Sequence, residues 1–236
     1  MRPRPAPGVA GLFRTAVAFE LWGPGDPTQL RPAERALVER AVPSRVSQFA
    51  AGRQCARAAM EALDLPATAL LRSDQRAPAW PPLTRGTISH TADYAVAAMT
   101  LTGTASDHSI GVDAEVVGRV GAELHRRLFT PGEQAWLRSL SSSDQPRVAT
   151  ELFGLKESFY KAQFPVTGGW VGFLDVEISP YDRGFVLQPF TDFDLFDAVR
   201  WPVIGRTLVR DELVVSAVEV VVAPTWELTP QAPPSD

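Results

Sequence analysis

The sequence predicts an α+β fold in two halves, and two observations lead to that prediction. Helix-like segments lead into strand-like segments in both the first and the second part of the chain. The charge also differs between the two parts of the chain: residues 1–107 carry 12 Arg against 9 Asp and Glu, whereas residues 108–236 carry 11 Lys and Arg against 18 Asp and Glu. A basic half and an acidic half suggest different tasks, the first holding an anion and the second a cation.

The composition limits the class of protein. With 236 residues, 45% hydrophobic and 21% charged, the chain is typical of a globular protein with a sizeable core. Its apolar runs fall short of the ~20 residues that span a bilayer, and prolines interrupt its first residues, unlike a signal peptide. The single cysteine, Cys55, excludes an internal disulfide, and only three histidines accompany it, which argues against structural zinc. We therefore expect a cytoplasmic protein that binds neither nucleic acid nor membrane.

The first half is predicted to contain one strand and two helices before a segment of uncertain type. Loose alternation over residues 15–22 predicts a strand. Residues 32–42 predict a helix that Pro43 stops, and Ser44 is expected to cap a second helix reaching about residue 63. Periodicity does not decide whether residues 91–101 are helical or extended, because small apolar residues fill the stretch.

The second half is predicted to begin with a strand and to contain two helices. Alternating apolar residues predict a strand over 110–115. Thr130 and Glu133 form the pattern of a capping box, which predicts a helix to about residue 140 and gives Glu133 a structural role. Apolar residues at three- and four-residue steps predict a helix over 151–161. The remaining predicted segments are a turn at 168–170, strands at 174–178, 184–187 and 213–222, and a loose tail at 223–236.

Two carboxylates mark the predicted strand at 110–115. The period of two places Asp113 and Glu115 on one face, where they repel each other unless a cation lies between them. Mg²⁺ prefers an oxygen-only ligand set of this kind, completed by substrate phosphates. The alternative is a strand end that is simply solvated.

The lysines of the chain are concentrated at one place. Only Lys156 and Lys161 occur, and every other cationic side chain is Arg. Both flank Glu157 on the predicted helix over 151–161, which suggests a site where a compact ammonium group is needed. The alternative is an exposed ion pair between Glu157 and Lys161, worth a few tenths of a kcal/mol.

The helix predicted over residues 44–63 carries several arginines. Arg53 and Arg57 lie one turn apart and face the same way, which suits bidentate contacts with a phosphate. A solvated basic face is the alternative. His90 lies at the edge of an apolar segment, where a lone histidine is more often a core or surface residue than a catalytic one.

Several motifs in one order resemble those of a known family, the 4′-phosphopantetheinyl transferases of the surfactin/enterobactin-synthase type. The motifs are FAAGRQCAR at 49–57, APAWPP at 77–82, TISHT at 87–91, GVDAE at 111–115, FTPGE at 129–133, KESFYK at 156–161 and PVTGGW at 165–170. Ordered motifs are far more specific than any single one. The sequence departs from the family at Gly154, where Trp or Ser is common.

The resemblance implies a fold and a reaction. The fold would be two similar α+β halves related by a pseudo-twofold axis, the first spanning 1–107 and the second 108–236, with coenzyme A between them. The reaction would move the phosphopantetheine arm of coenzyme A to a serine of an apo carrier protein and release adenosine 3′,5′-bisphosphate. Carrier proteins of polyketide or nonribosomal peptide synthases are the implied partners, and the chain would act as a monomer.

The resemblance also implies a role for each matching residue. Asp113, Glu115 and Glu157 would hold Mg²⁺, and Glu157 would also accept the proton of the attacking serine. Lys161 would contact the diphosphate, with Lys156 beside it. The remaining implied contacts with coenzyme A come from Arg45, Arg53, Arg57 and Arg72, which would meet its phosphates or adenine side, and from Ser89 and His90, which would line the nucleotide.

Two other classes of function remain open. A metal-dependent nucleotide phosphohydrolase could use the same carboxylates and lysines. A non-catalytic carrier-binding or nucleotide-binding module could retain the fold, although the presence together of Asp113, Glu115, Glu157 and Lys161 counts against it.

Overall fold

The computed structural model describes residues 2–73, 77–103, 108–192 and 194–223. This part of the chain forms two antiparallel sheets together with helices, which confirms the predicted α+β class. Residues 224–236, nearly all of the predicted tail, lie outside the described residues. Within the described ranges, no helix combines the length and apolar character that crossing a membrane requires. The cytoplasmic location and the division into two domains stay predictions.

The first sheet has the strand order β1-β2-β4-β3, and the long helix α3 packs on it. Small side chains such as Ala56 and Ala59 let α3 approach the sheet closely, where Leu21 and Met99 complete the core. The elements of this half are β1 (Arg4–Pro5), α1 (Pro7–Ala10), β2 (Val17–Trp22), α2 (Pro32–Ala36), α3 (Pro43–Ala62), β3 (Thr84–His90) and β4 (Tyr94–Leu101).

The second sheet has the order β5-β9-β8-β7-β6, and the helix α6 lies across it. Contact is closest at Gly111, where an added Cβ would lie 1.8 Å from the backbone oxygen of Ser158. Glycine is therefore required at this position for α6 to pack against β5. The elements of this half are β5 (His108–Val116), α4 (His125–Leu128), α5 (Pro131–Ser139), α6 (Gln145–Thr167), β6 (Val176–Tyr181), β7 (Gly184–Pro189), β8 (Val203–Arg210) and β9 (Leu213–Val221).

The structure corrects four details of the predicted elements. Pro43 starts α3 instead of stopping a helix, since a proline at the first helical position loses no hydrogen bond, and Ser44 does not cap it. Helix α2 ends at Ala36, well short of residue 42. The undecided stretch 91–101 is extended in β4. The strands β1, β3 and β8 had no counterpart in the prediction.

The two sheets meet where β3 lies beside β5. The backbone N–H of Val112 donates to Thr87 Oγ1 at 3.0 Å, and that of Ala114 donates to Ser89 Oγ at 3.2 Å. No backbone-to-backbone hydrogen bond joins the halves among the described residues. Side-chain hydroxyl groups therefore connect the sheets at this seam.

Candidate functional site

A cleft opens between the two halves along this seam. Its larger part, about 550 Å³, has Trp80 and Gly86 on one side and Tyr160, Lys161 and Phe164 of α6 on the other. A neighbouring cavity of about 360 Å³ reaches toward α3, and both cavities touch Pro78 and Ile88. Together the two cavities have the size and the mixed lining of a site for a sizeable small molecule.

Asp113 projects from β5 and is only 4% exposed. Its Oδ1 accepts hydrogen bonds from Lys161 Nζ at 2.7 Å and from Ser89 Oγ at 2.8 Å. Its Oδ2 is buried and has no hydrogen-bond partner among the described residues. A buried carboxylate oxygen without a donor is costly, so Asp113 is suited to an additional cation or donor.

Glu115 and Glu157 share this environment. Burial raises the pKa of Glu115 to about 7, and the negative charge of Asp113 adds to the effect. Burial and then Asp113 also raise the pKa of Glu157. Glu157 and Lys161, although four residues apart, form no ion pair within 4 Å, because Lys161 reaches Asp113 instead. The three carboxylates thus lie close enough to oppose one another's ionisation.

The carboxylate oxygens of Asp113, Glu115 and Glu157 are of the kind that bind a divalent cation, although they do not form a complete coordination site. Among the described residues, no three His, Cys, Asp or Glu side chains form a group that could hold a metal ion as they stand. The unpaired Oδ2 of Asp113 and the raised pKa values of Glu115 and Glu157 are those expected of oxygen ligands that lack their counter-charge. The predicted metal role of these three residues stays a prediction.

The smaller cavity concentrates positive charge. It is lined by Arg45, Arg53, Arg72 and His90. Burial, together with the other arginines, lowers the pKa of Arg53 to about 10, although Glu34 opposes the shift. Arg53 has no carboxylate within 4 Å among the described residues and is held by a bond from its Nε to Leu70 O at 2.8 Å. A buried guanidinium group beside the exposed ones of Arg45 and Arg72 attracts an anion such as phosphate.

His90 joins this group as a neutral imidazole. Arg45 Nη1 lies 2.6 Å from His90 Nε2. Because Arg has no acceptor, Nε2 accepts this bond, and the ring proton is assigned to Nδ1. Burial, then Arg45 and Lys161, lower the pKa of His90. His90 thus lies in the arginine-lined cavity and close enough to Lys161 for the charge of that lysine to act on it.

Three of the predicted contact residues for coenzyme A do not line the cleft. Arg57 is buried and bound to both carboxylate oxygens of Glu34, and its predicted phosphate contact stays a prediction. Ser89 supports Asp113 and the seam. Lys156 Nζ lies 2.8 Å from Glu133 Oε2 and donates to backbone carbonyls, which anchors the helix, and its predicted contact with coenzyme A stays a prediction.

The structure confirms the structural role predicted for Glu133. It completes a capping box with Thr130 and also accepts from Ile178 N at 2.7 Å. Sequence reasoning missed Tyr160, which lines the cleft, and Glu34, whose partners lie far away in sequence. The motif APAWPP was the only signal for Trp80.

Comparison with known proteins identifies the family. Residues 33–100 match the 4′-phosphopantetheinyl transferase N-terminal domain, and residues 109–210 match the 4′-phosphopantetheinyl transferase superfamily. The 4′-phosphopantetheinyl transferase PptT of Mycobacterium tuberculosis is 32% identical over 179 residues, which cover 72% of this chain and 74% of PptT. The chain belongs to the 4′-phosphopantetheinyl transferase superfamily. The family resemblance predicted from the motifs is therefore confirmed at this level.

Other members of the superfamily match over shorter stretches. The 4′-phosphopantetheinyl transferase Svp of Streptomyces mobaraensis is 38% identical over 159 residues, 66% of this chain and 63% of Svp, so the match spans less than two thirds of that relative. A crystal structure of a holo-(acyl-carrier-protein) synthase from Bacillus anthracis, in complex with CoA (3′,5′-ADP), is 25% identical. Its match has a TM-score of 0.42 and covers 50% of this chain and 100% of that one.

Proposed function

We propose that this protein transfers the 4′-phosphopantetheine arm of coenzyme A to a serine of an apo carrier protein, with Mg²⁺ as the metal. The observation that supports this most is the division of charge within one cleft. Arginines line one cavity, whereas Lys161 lines the other and has Asp113, Glu115 and Glu157 close to it. Coenzyme A has a matching division, since its 3′-phosphate and its diphosphate are separated by the ribose.

The 3′-phosphate is assigned to the arginine-lined cavity. Arg45, Arg53 and Arg72 supply planar guanidinium donors that match phosphate oxygens. The diphosphate is assigned to Lys161, which lines the larger cavity and supplies a point charge. The pantetheine arm then extends along the apolar wall that contains Trp80.

Asp113, Glu115 and Glu157 are the residues proposed to hold Mg²⁺. When bound, the metal supplies Lewis-acid stabilisation of charge on the diphosphate oxygens. Lys161 contributes to the same end from the protein side, because its ammonium group is held at Asp113 by a 2.7 Å contact. Ser89 fixes the orientation of Asp113 through its hydrogen bond to Oδ1.

The proposed chemical step is a displacement at phosphorus. The serine oxygen of the carrier attacks the phosphorus that bears the pantetheine arm, and the bond between that phosphorus and the bridging oxygen breaks. Adenosine 3′,5′-bisphosphate leaves with the electron pair of that bond, and Lys161 stabilises the growing charge. Glu157 accepts the serine proton, because its raised pKa brings it closer to neutral pH than an ordinary carboxylate.

The proposed partners are carrier domains of polyketide or nonribosomal peptide synthases, as for the surfactin/enterobactin-synthase type. The motif order supports this finer assignment. A carrier domain that is acidic would approach through the more basic first half of the chain. An association rate that does not fall with rising salt would argue against this electrostatic contribution.

Mass spectrometry of an apo carrier protein tests the reaction. Incubation with the protein, coenzyme A and Mg²⁺ should add the mass of one phosphopantetheine arm, and chelation of the metal should suppress the addition. Asp113→Ala and Glu157→Ala should abolish it, whereas Glu61→Ala, at an exposed position on α3, should not. Phosphate release from small nucleotides without a carrier would indicate a hydrolase instead. Binding of coenzyme A without any mass gain on several carriers would indicate a non-catalytic module.

A further inference from the structure

Glu34 is a fully buried carboxylate outside the proposed catalytic centre, with an exposed fraction of 0%. It brings together three segments that are distant in sequence. Its Oε2 accepts from the backbone N–H of Arg31 at 2.9 Å, at the start of α2. Arg57 of α3 donates to both of its oxygens, at 3.0 and 2.8 Å. Its Oε1 accepts from the backbone N–H of Leu70 at 2.9 Å, in the segment before β3.

The contact at Leu70 connects Glu34 to the arginine-lined cavity. The N–H of Leu70 is fixed by Glu34, and its carbonyl oxygen accepts from Arg53 Nε at 2.8 Å. One residue thus transmits the position of the carboxylate to the guanidinium that faces the cavity. Arg53 also lies over the ring of Phe49, 4.2 Å from its centroid, so its plane is set from two sides. Arg72, two residues beyond Leu70, lines the same cavity.

We propose that Glu34 is a positioning residue for recognition of the 3′-phosphate, acting through Leu70 on Arg53 and Arg72. The inference rests on the proposed function, because it takes the 3′-phosphate of coenzyme A as the anion of this cavity. By its charge alone, a carboxylate near an anion site opposes anion binding. If Glu34 acted only through its charge, its removal would strengthen phosphate binding. Positioning predicts the opposite result, which makes the two roles separable.

Calorimetric titration with two nucleotides tests the proposal without any carrier protein. Adenosine 3′,5′-bisphosphate carries the 3′-phosphate, and adenosine 5′-monophosphate lacks it. The wild-type protein should prefer the bisphosphate. Glu34→Gln should weaken bisphosphate binding by roughly 10- to 100-fold, as expected for lost hydrogen bonds to a charged group, and leave the monophosphate nearly unchanged. Glu39→Gln removes an exposed carboxylate close to Glu34 in sequence and is the matched control.

Each outcome decides between the possible roles of Glu34. Unchanged or tighter bisphosphate binding in Glu34→Gln overturns the proposal, and so does a loss of thermal stability with an unchanged ratio of the two affinities. Should Glu34→Gln fail to fold, Glu34→Asp keeps the charge but is too short to reach both Leu70 and Arg57. Glu34→Asp should then lower the ratio of bisphosphate affinity to monophosphate affinity in the same way, and a ratio like that of the wild type overturns the proposal. A wild-type protein that binds neither nucleotide would contradict the proposed function itself.

Discussion

Replacing Gly111 by Ala tests whether the close packing of β5 against α6 sets the geometry of the site. An added Cβ would lie 1.8 Å from Ser158 O and 2.9 Å from Ala162 N, both backbone atoms that cannot rotate away. The helix and the strand would have to separate by about 1 Å, and overpacking of this kind costs about 1–3 kcal/mol. For a chain of this size the melting temperature should fall by about 2–12 °C.

The same separation should disturb the contact between Lys161 and Asp113. Asp113 lies two residues after Gly111, and Lys161 lies three residues after Ser158, so the 2.7 Å distance between them depends on this packing. A misplacement of about 1 Å can reduce the rate of a catalysed step about 100-fold. We therefore expect the Gly111→Ala variant to modify a carrier protein about 100-fold more slowly than the wild-type protein does.

The assay is the initial rate of carrier modification, followed by mass spectrometry at saturating coenzyme A, together with a thermal unfolding curve. Gly11→Ala is the control, because Gly11 is exposed, has an ordinary φ of −66° and has no neighbour closer than 3.3 Å to an added Cβ. A Gly111→Ala protein with normal melting temperature and normal rate would refute the reasoning. Reduced stability with a normal rate would show that the packing does not control the site.

Two further predictions concern buried charge. Lys156→Met should lower the free energy of unfolding by about 3–5 kcal/mol, because Glu133 is left buried without its cation. Denaturant titration should show a smaller loss of unfolding free energy in the double variant that combines Lys156→Met with Glu133→Gln. An equal or larger loss in the double variant would contradict the argument. Burial raises the pKa of Glu20, but hydrogen bonds led by Arg210 outweigh it and hold the pKa below its ordinary value. The ionised Glu20 therefore stabilises the fold fully above about pH 4.3, the ordinary pKa of a glutamate, and this stabilisation is lost as the pH falls through the lower pKa of the folded state. Glu20→Gln should accordingly destabilise the protein at neutral pH but not in strong acid, and a destabilisation that persists in strong acid would disprove this account.

Local patterns were sufficient to predict the strand and the helix that carry most of the site. The alternation in residues 110–115 correctly places Asp113 and Glu115 on one face of β5, since side-chain direction in a strand follows from spacing alone. The apolar steps in residues 151–161 predict a helix that the structure extends over Gln145–Thr167. The strand and the helix could thus be predicted without knowing which residues they contact.

The contacts that define individual roles depend on residues far away in sequence. The pairing of Arg57 with Glu34 spans 23 positions, and that of Ser89 with Asp113 spans 24. Nothing in the spacing of Arg53 and Arg57 indicates that one faces the cavity while the other is neutralised by a buried acid.

Among the strands that the sequence left unpredicted or undecided, β4 and β8 have a clear physical reason. Every residue of β4 from Tyr94 to Thr100 is buried, so the alternation that marks a half-exposed strand is missing. In β8, Gly205 and the arginines at 206 and 210 weaken the apolar pattern. Burial on both faces and polar side chains at a partly exposed strand both conceal the period of two.

The seam between the halves has a mechanical consequence. Because Thr87 and Ser89 supply the acceptors there, the cleft can widen while every backbone hydrogen bond within both sheets stays intact. Water can replace a hydroxyl acceptor at little cost. This parting of the seam stays local, because a buried apolar core that Val96, Val112 and Val215 share also joins the two halves. Amide protons at Val112 and Ala114 would report that parting by exchanging faster than their neighbours in the same strand.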